Sequence, residues 1–148
     1  MPLVPVAVPD PLPVRIVPLA PIAVPAGFPS PAADDLEDEV DPVAWITRNP
    51  ATTFWWRVAG DSLQDIGIRD GDLIAVDRDG KRRLGRVVVA VVDGDVTVKI
   101  LTRKGRGSGA EYWLLPANER GGYEPIRMTE DSEVWGVVAG VVRRCDIE

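Results

Sequence analysis

The chain of 148 residues contains no histidine. That absence removes Ser-His-Asp and Cys-His mechanisms, because there is no imidazole to take a proton. An activated hydroxyl would need a carboxylate, a lysine or a terminal amine as its base. Cysteine is nearly absent as well. The single thiol, Cys145, rules out a disulfide within the chain and suits a reducing, cytoplasmic setting. No cluster of cysteine, histidine and spaced carboxylates suggests a metal, and no cofactor is implied. Lysine is scarce: Lys81, Lys99 and Lys104 are the only three among seventeen cations, the other fourteen being arginine. Finally, no apolar stretch long enough to span a bilayer escapes interruption by proline, so no membrane segment is predicted. Val24-Pro25-Ala26 has the small residues of a signal-peptidase site. It lacks both the basic start and the apolar helix of a signal peptide.

What is present divides the chain in three. Met1 to Ala26 holds eight of the fourteen prolines, set among Val, Leu, Ile and Ala. That density forbids helix and predicts an extended, polyproline-like arm that docks on the body, in the backbone form that peptidases accept as substrate. A near-repeat, Pro5-Val6-Ala7-Val8-Pro9 and Pro21-Ile22-Ala23-Val24-Pro25, is compositional bias. Residues 27–52 read as a hinge. Its acidic run, 34–41, could open a helix, and Asp41-Pro42 reads as the cap and first residue of a short helix through Ile46. Six carboxylates in that run match the whole net charge of −6, so the acidity is local. The charge argues against direct nucleic-acid binding through phosphate neutralisation.

Residues 53–148 read as strands. Expected ones are Phe54 to Ala59, Asp72 to Asp77, Arg86 to Asp93, Asp95 to Thr102, Glu111 to Leu115, Tyr123 to Met128 and Val134 to Val142. Asp93-Gly94 is a hairpin signal, and the run Val87 to Val92 suits a strand buried on both faces. Gly136 and Gly140 allow bends or close packing in the last strand. Trp55-Trp56 sets successive rings on opposite faces of a strand, which could leave one exposed. A mainly β body of coiled, barrel-like sheets follows, with one or two short helices.

Two residues carry the candidate chemistry. Ser62 follows Val58-Ala59-Gly60-Asp61, a strand end and tight turn that can expose a hydroxyl while the backbone N–H groups of Asp61 and Ser62 point outward as an oxyanion hole. Lys99 lies in the alternating run Asp95-Val96-Thr97-Val98-Lys99-Ile100-Leu101, whereas Lys81 and Lys104 sit in polar, turn-like surroundings. A lysine removed from water can lose its proton near neutral pH, and an arginine cannot. Taken alone, the same pattern describes a strand lysine whose ammonium reaches solvent.

The motifs taken in order resemble the LexA/UmuD-type self-cleaving serine peptidases. They are Ala26-Gly27-Phe28-Pro29-Ser30-Pro31-Ala32-Ala33-Asp34, Gly60-Asp61-Ser62, Asp70-Gly71-Asp72-Leu73, Val92-Asp93-Gly94-Asp95-Val96-Thr97-Val98-Lys99, Leu115-Pro116-Ala117-Asn118 and Trp135-Gly136-Val137-Val138. They span roughly Val24 to Arg143. The spacing between Ser62 and Lys99, 37 positions, also resembles the family's. Leu63 departs from it, standing where methionine is usual, a change that keeps volume and polarity.

The resemblance implies a fold of the LexA/signal-peptidase type and a Ser-Lys dyad, Ser62 and Lys99, that cuts the chain's own Ala26–Gly27 bond. It further implies a homodimer, stimulation of cutting by the RecA–single-stranded-DNA filament, and a shortened product that serves an error-prone, UmuC-type Y-family polymerase in translesion synthesis during the SOS response. Three other readings compete. A LexA-type repressor needs a helix-turn-helix that the first 26 residues cannot form, and a type I signal peptidase needs a membrane anchor. A non-catalytic dimeric regulatory module of the same fold retains its arm.

Overall fold

The structure, a computed structural model, describes residues 17–19, 24, 26–28 and 38–145. Its centre is a hairpin. Asp93 and Gly94 both take positive φ, 49° and 84°, and that tight turn joins β5 (Val87–Val92) to β6 (Asp95–Lys104). The strands align Val92 with Asp95 and Val88 with Lys99.

Around it lies one antiparallel sheet of seven strands, completed by β3 (Thr53–Arg57), β4 (Leu73–Asp77), β7 (Glu111–Leu115), β8 (Ile126–Arg127) and β9 (Glu133–Val142). The spatial order is β3-β4-β9-β5-β6-β7-β8, so the last strand is inserted between β4 and β5. Its register slips once against each neighbour, between Ala75 and Val76 on β4 and between Val89 and Ala90 on β5. Such bulges bend and coil a sheet. The mainly β, LexA-type architecture expected from the motifs is what forms, with its edges at β3 and β8.

Apolar residues on both faces explain the run of valines in β5. Val89 packs with Leu63, Ile74, Val76 and Trp135 on one side, while Val88 and Ala90 pack with Leu101, Leu114 and Val137 on the other. Trp135 is the centre of an aromatic cluster, edge-on to Phe54 at 5.3 Å and to Trp56 at 5.0 Å. Gly136 is required by that packing. A Cβ there would stand 2.7 Å from Val76 Cγ1 and 3.0 Å from the Asp77 carbonyl oxygen.

Some expectations need correction. The acidic run does not open a helix in its described part: Asp38–Val40 is a strand, β2, paired antiparallel with β1 (Val17–Leu19) of the arm. Backbone pairing satisfies those peptide groups where a helix would bring neighbouring carboxylates together on one face. Trp55 and Trp56 are both half-buried, and the ring left in solvent is that of Trp45. The segment from Tyr123 to Met128 is strand only at Ile126–Arg127, with Met128 N adding one bond to Tyr112 O, and it starts no earlier because Pro125 has no N–H to give. The short helix is as expected: α1 (Pro42–Ile46), whose Asp41 cap accepts from the N–H groups of Val43 and Ala44 at 3.1 Å each. The near-repeat in the arm lies outside the described residues, apart from Val24.

Candidate active site

The loop between β3 and β4 carries Ser62. Gly60 enters it with φ 94°, and its N–H is tied to Asp70 Oδ1 at 2.7 Å. The turn is then strapped to the segment that follows β7. Ser62 O accepts from Ala117 N at 2.7 Å, and Asp61 O accepts from Asn118 Nδ2 at 2.8 Å. Leu63, 2 % exposed, plugs the turn into the core. Because C=O and N–H of a trans peptide point opposite ways, the anchored Asp61 carbonyl turns the Ser62 N–H outward, away from Asn118.

The floor of the loop is held by an ion pair between a buried carboxylate and a half-exposed guanidinium. Asp72, 1 % exposed, receives Arg143 through Nε at 2.6 Å and Nη2 at 2.9 Å, with the Arg69 N–H adding a bond at 2.8 Å. The same Nη2 bonds Gly67 O at 2.6 Å, so a residue just past β9 locks both ends of the 67–72 turn. The Arg143 guanidinium outweighs the cost of burial and holds the Asp72 carboxyl below its ordinary 3.8.

Lys99 comes from the sheet itself. On β6 it pairs with the fully buried Val88, and only 8 % of its surface is exposed. Its Nζ lies 2.9 Å from Ser62 Oγ and 2.8 Å from Thr97 Oγ1. Thr97 and Lys99, two apart on a strand, share a face, which lets the hydroxyl steady the amine. Burial alone pushes the Lys99 amine below its ordinary 10.5, with no carboxylate opposing it. The pair opens on a cleft of about 250 Å³ lined on its apolar side by Trp56, Val58, Ile74, Val89, Val96 and Val98.

The structure therefore brings Ser62 and Lys99 together and leaves the other expected pair apart. Ala26 and Gly27 lie on a solvent-exposed bend, with Val24 87 % and Phe28 94 % exposed, and nothing lies within 4 Å of where a Gly27 Cβ would be. None of these residues lines the cleft. Sequence reasoning missed Thr97, Asn118 and Tyr123, whose hydroxyl donates to Asp61 Oδ1 and whose ring has Lys99 Nζ 5.9 Å from its centroid. Thr97 was legible, standing two positions before Lys99 in an alternating run. Among the described residues no cluster of His, Cys, Asp and Glu could hold a metal, and no helix is long and apolar enough to cross a membrane.

A serine hydroxyl stands 2.9 Å from a buried amine on a β scaffold, in a chain without histidine. Comparison with known proteins gives the family. The family described as Peptidase S24-like matches residues 18–139, and the chain belongs to it. Protein SamA of Salmonella typhimurium is 42 % identical over 120 residues, covering 81 % of this chain and 80 % of that one. Protein ImpA of Escherichia coli is 37 % identical over 119 residues, 80 % and 78 % of the two chains. The LexA repressor of Aeromonas salmonicida is 41 % identical over 128 residues, 83 % of this chain but 58 % of the repressor. The resemblance read from the motifs is thereby borne out.

Proposed function

We propose that this is a UmuD-like SOS-response protein that cuts its own Ala26–Gly27 bond with Ser62 as nucleophile and Lys99 as general base. The observation that carries this is the 2.9 Å approach of Lys99 Nζ to Ser62 Oγ by an amine that burial inclines toward its neutral form. The exposed bend first docks in the cleft, with Val24-Pro25-Ala26 extended along it. Neutral Lys99 takes the hydroxyl proton as Ser62 Oγ bonds to the Ala26 carbonyl carbon. The Ser62 N–H, with that of Asp61, faces the oxyanion. One such donor is worth ~3–4 kcal/mol in other enzymes. The carbon–nitrogen bond then breaks, and protonated Lys99 gives its proton to the Gly27 nitrogen, which leaves as an amine. Water, losing a proton to Lys99, then attacks the ester carbon, and Lys99 returns that proton to Ser62 Oγ as the carbon–oxygen bond breaks, freeing the Ala26 carboxylate and restoring the neutral amine. Small side chains at Ala26 and Gly27 let the backbone pass close under the nucleophile.

In this reading the three parts of the chain are an arm, 1–26, lost on cutting, a hinge, 27–52, and a β-rich catalytic body, 53–148. The protein acts in the cytoplasm as a homodimer. Its cutting is stimulated by the RecA–single-stranded-DNA filament, and its shortened form is an accessory subunit of a UmuC-type error-prone polymerase. Support for this wider role is the likeness to SamA, ImpA and LexA. The test is intact-mass analysis of purified protein held at mildly alkaline pH. A fragment beginning at Gly27 is expected from the natural chain and from none of Ser62→Ala, Lys99→Ala and Lys99→Arg. A fragment from any of the three variants overturns the assignment, and an uncut natural chain favours the non-catalytic module.

A further inference from the structure

We propose that Tyr123 is a positioning residue for the Ser62–Lys99 pair, closing a strap that holds the nucleophile turn against the amine. The inference rests on the self-cleavage reading above.

The turn that bears Ser62 is a loop, and Ala59 and Gly60 at its entrance are exposed. Loops of this kind open more readily than the strands around them, so the 2.9 Å approach to Lys99 depends on what fastens the turn. The fastenings come mostly from one place. Ala117 N–H holds the Ser62 carbonyl and Asn118 Nδ2 holds the Asp61 carbonyl. Asp65 joins the two segments twice more, its N–H donating to Ala117 O at 2.8 Å and its Oδ2 accepting from Glu119 N at 2.9 Å. Tyr123 completes the series, donating its phenol to the Asp61 carboxylate.

Tyr123 differs from the other fastenings in touching both halves of the site. Its hydroxyl engages the residue before the nucleophile, and its ring stands 5.9 Å from Lys99 Nζ, at the limit of a cation–π contact. It is 41 % exposed, so its place is not set by burial in the core. Gly121 shapes the strap that delivers it. A Cβ at that position would stand 2.6 Å from the Tyr123 ring and 2.8 Å from Asn118 Nδ2, the two side chains that grip Asp61. The hydrogen bond to Asp61, and then the partial loss of water around the phenol, hold the Tyr123 hydroxyl in its protonated, donating form to higher pH than an ordinary tyrosine. Asp61 itself faces a polar hollow with Gln64, Asn118, Arg120 and Gly121, apart from the apolar cleft. Its carboxylate therefore serves the turn and not the reacting atoms.

The test follows self-cleavage of the full chain across pH for the natural protein, Tyr123→Phe, Asp61→Ala and the double variant, alongside their thermal unfolding. Tyr123→Phe keeps the ring and removes only the donor. The expected result is a fall of about tenfold in the alkaline plateau rate for each single variant, since small misplacements of a nucleophile are costly. The double variant is expected to be no slower than the slower single, because one contact is lost only once. The pH midpoint and Tm of Tyr123→Phe are expected to match those of the natural chain. Equal rates for Tyr123→Phe and the natural chain overturn the positioning role and leave the dyad standing. A lowered rate that tracks a lowered Tm also overturns it, since that marks a merely structural contact. Absence of cutting by the natural chain overturns both.

Discussion

Lys99 Nζ reaches Ser62 Oγ at 2.9 Å although the two residues stand 37 positions apart, one in the middle of a sheet and the other on a loop. The sheet supplies the dry surroundings and the loop supplies access. Neither alone makes a reactive pair, since the amine needs burial and the hydroxyl needs a way out to a peptide.

The burial that tunes the amine also has a cost to stability. Because Lys99 is pushed below 10.5 in the folded chain, the unfolded chain binds more protons between the folded value and 10.5. Stability therefore climbs with pH through that window and carries the full penalty below it. Lys99→Met removes the charge while keeping the volume. It is expected to raise Tm at neutral pH, by about 2–4 °C for each kcal/mol relieved, and to flatten the alkaline rise. Calorimetry of both proteins from neutral to alkaline pH checks this.

Thr97→Val tests the second contact of the amine. The Thr97 hydroxyl accepts from Lys99 Nζ and so favours the charged amine. Without it the midpoint of the pH–rate curve is expected to move to lower pH. The plateau is expected to fall about five- to tenfold, in line with the loss of an orienting hydrogen bond worth ~1 kcal/mol. Cleavage rates across pH give both quantities at once.

Arg143→Ala should act on folding and not on chemistry. It strands Asp72, which is 1 % exposed, without its partner. Because the Arg143 side chain is 36 % exposed, water partly replaces the lost partner, and a fall in Tm smaller than that of a fully buried pair is expected. Asp72 is held below 3.8, so its contribution is complete above that value and disappears as pH falls through the folded one. Acid unfolding of the natural chain is thus expected to show a loss of stability with falling pH that is reduced in the variant, as urea titrations at several pH values would show.

Gly136→Ala tests the close packing of β9 beside β4. The added methyl meets Val76 Cγ1 and the Asp77 carbonyl, and backbone cannot move aside as a flexible side chain can. A loss of about 1–3 kcal/mol is expected from overpacking, measured by denaturant unfolding.

Much of this was legible in the chain. Alternating and continuous valine runs, the Asp93-Gly94 turn and the Asp41-Pro42 cap are local signals, and each produced its element. The missing histidines and rare lysines singled out Lys99 before any geometry was known. Less visible were relations that only the folded sheet creates. β9 enters between β4 and β5 and so brings Arg143 to Asp72, a partnership across 71 positions that no local pattern announces. Tyr123 was read as part of a strand, yet its hydroxyl is taken by Asp61, 62 positions away. The acidic run could open a helix, whereas its described end pairs with the arm because Val17–Leu19 offers it a backbone partner.

The most direct test of the account is the protonation of Lys99 itself. The chain has only three lysines, so labelling lysine side-chain carbons with carbon-13 gives three signals, and Lys99→Arg identifies the one that matters. A Lys99 titration midpoint well below 10.5, coinciding with the midpoint of the cleavage-rate curve, is the predicted result. A midpoint at the ordinary lysine value, with cutting already at full rate several pH units lower, would contradict a neutral amine at position 99 as the base.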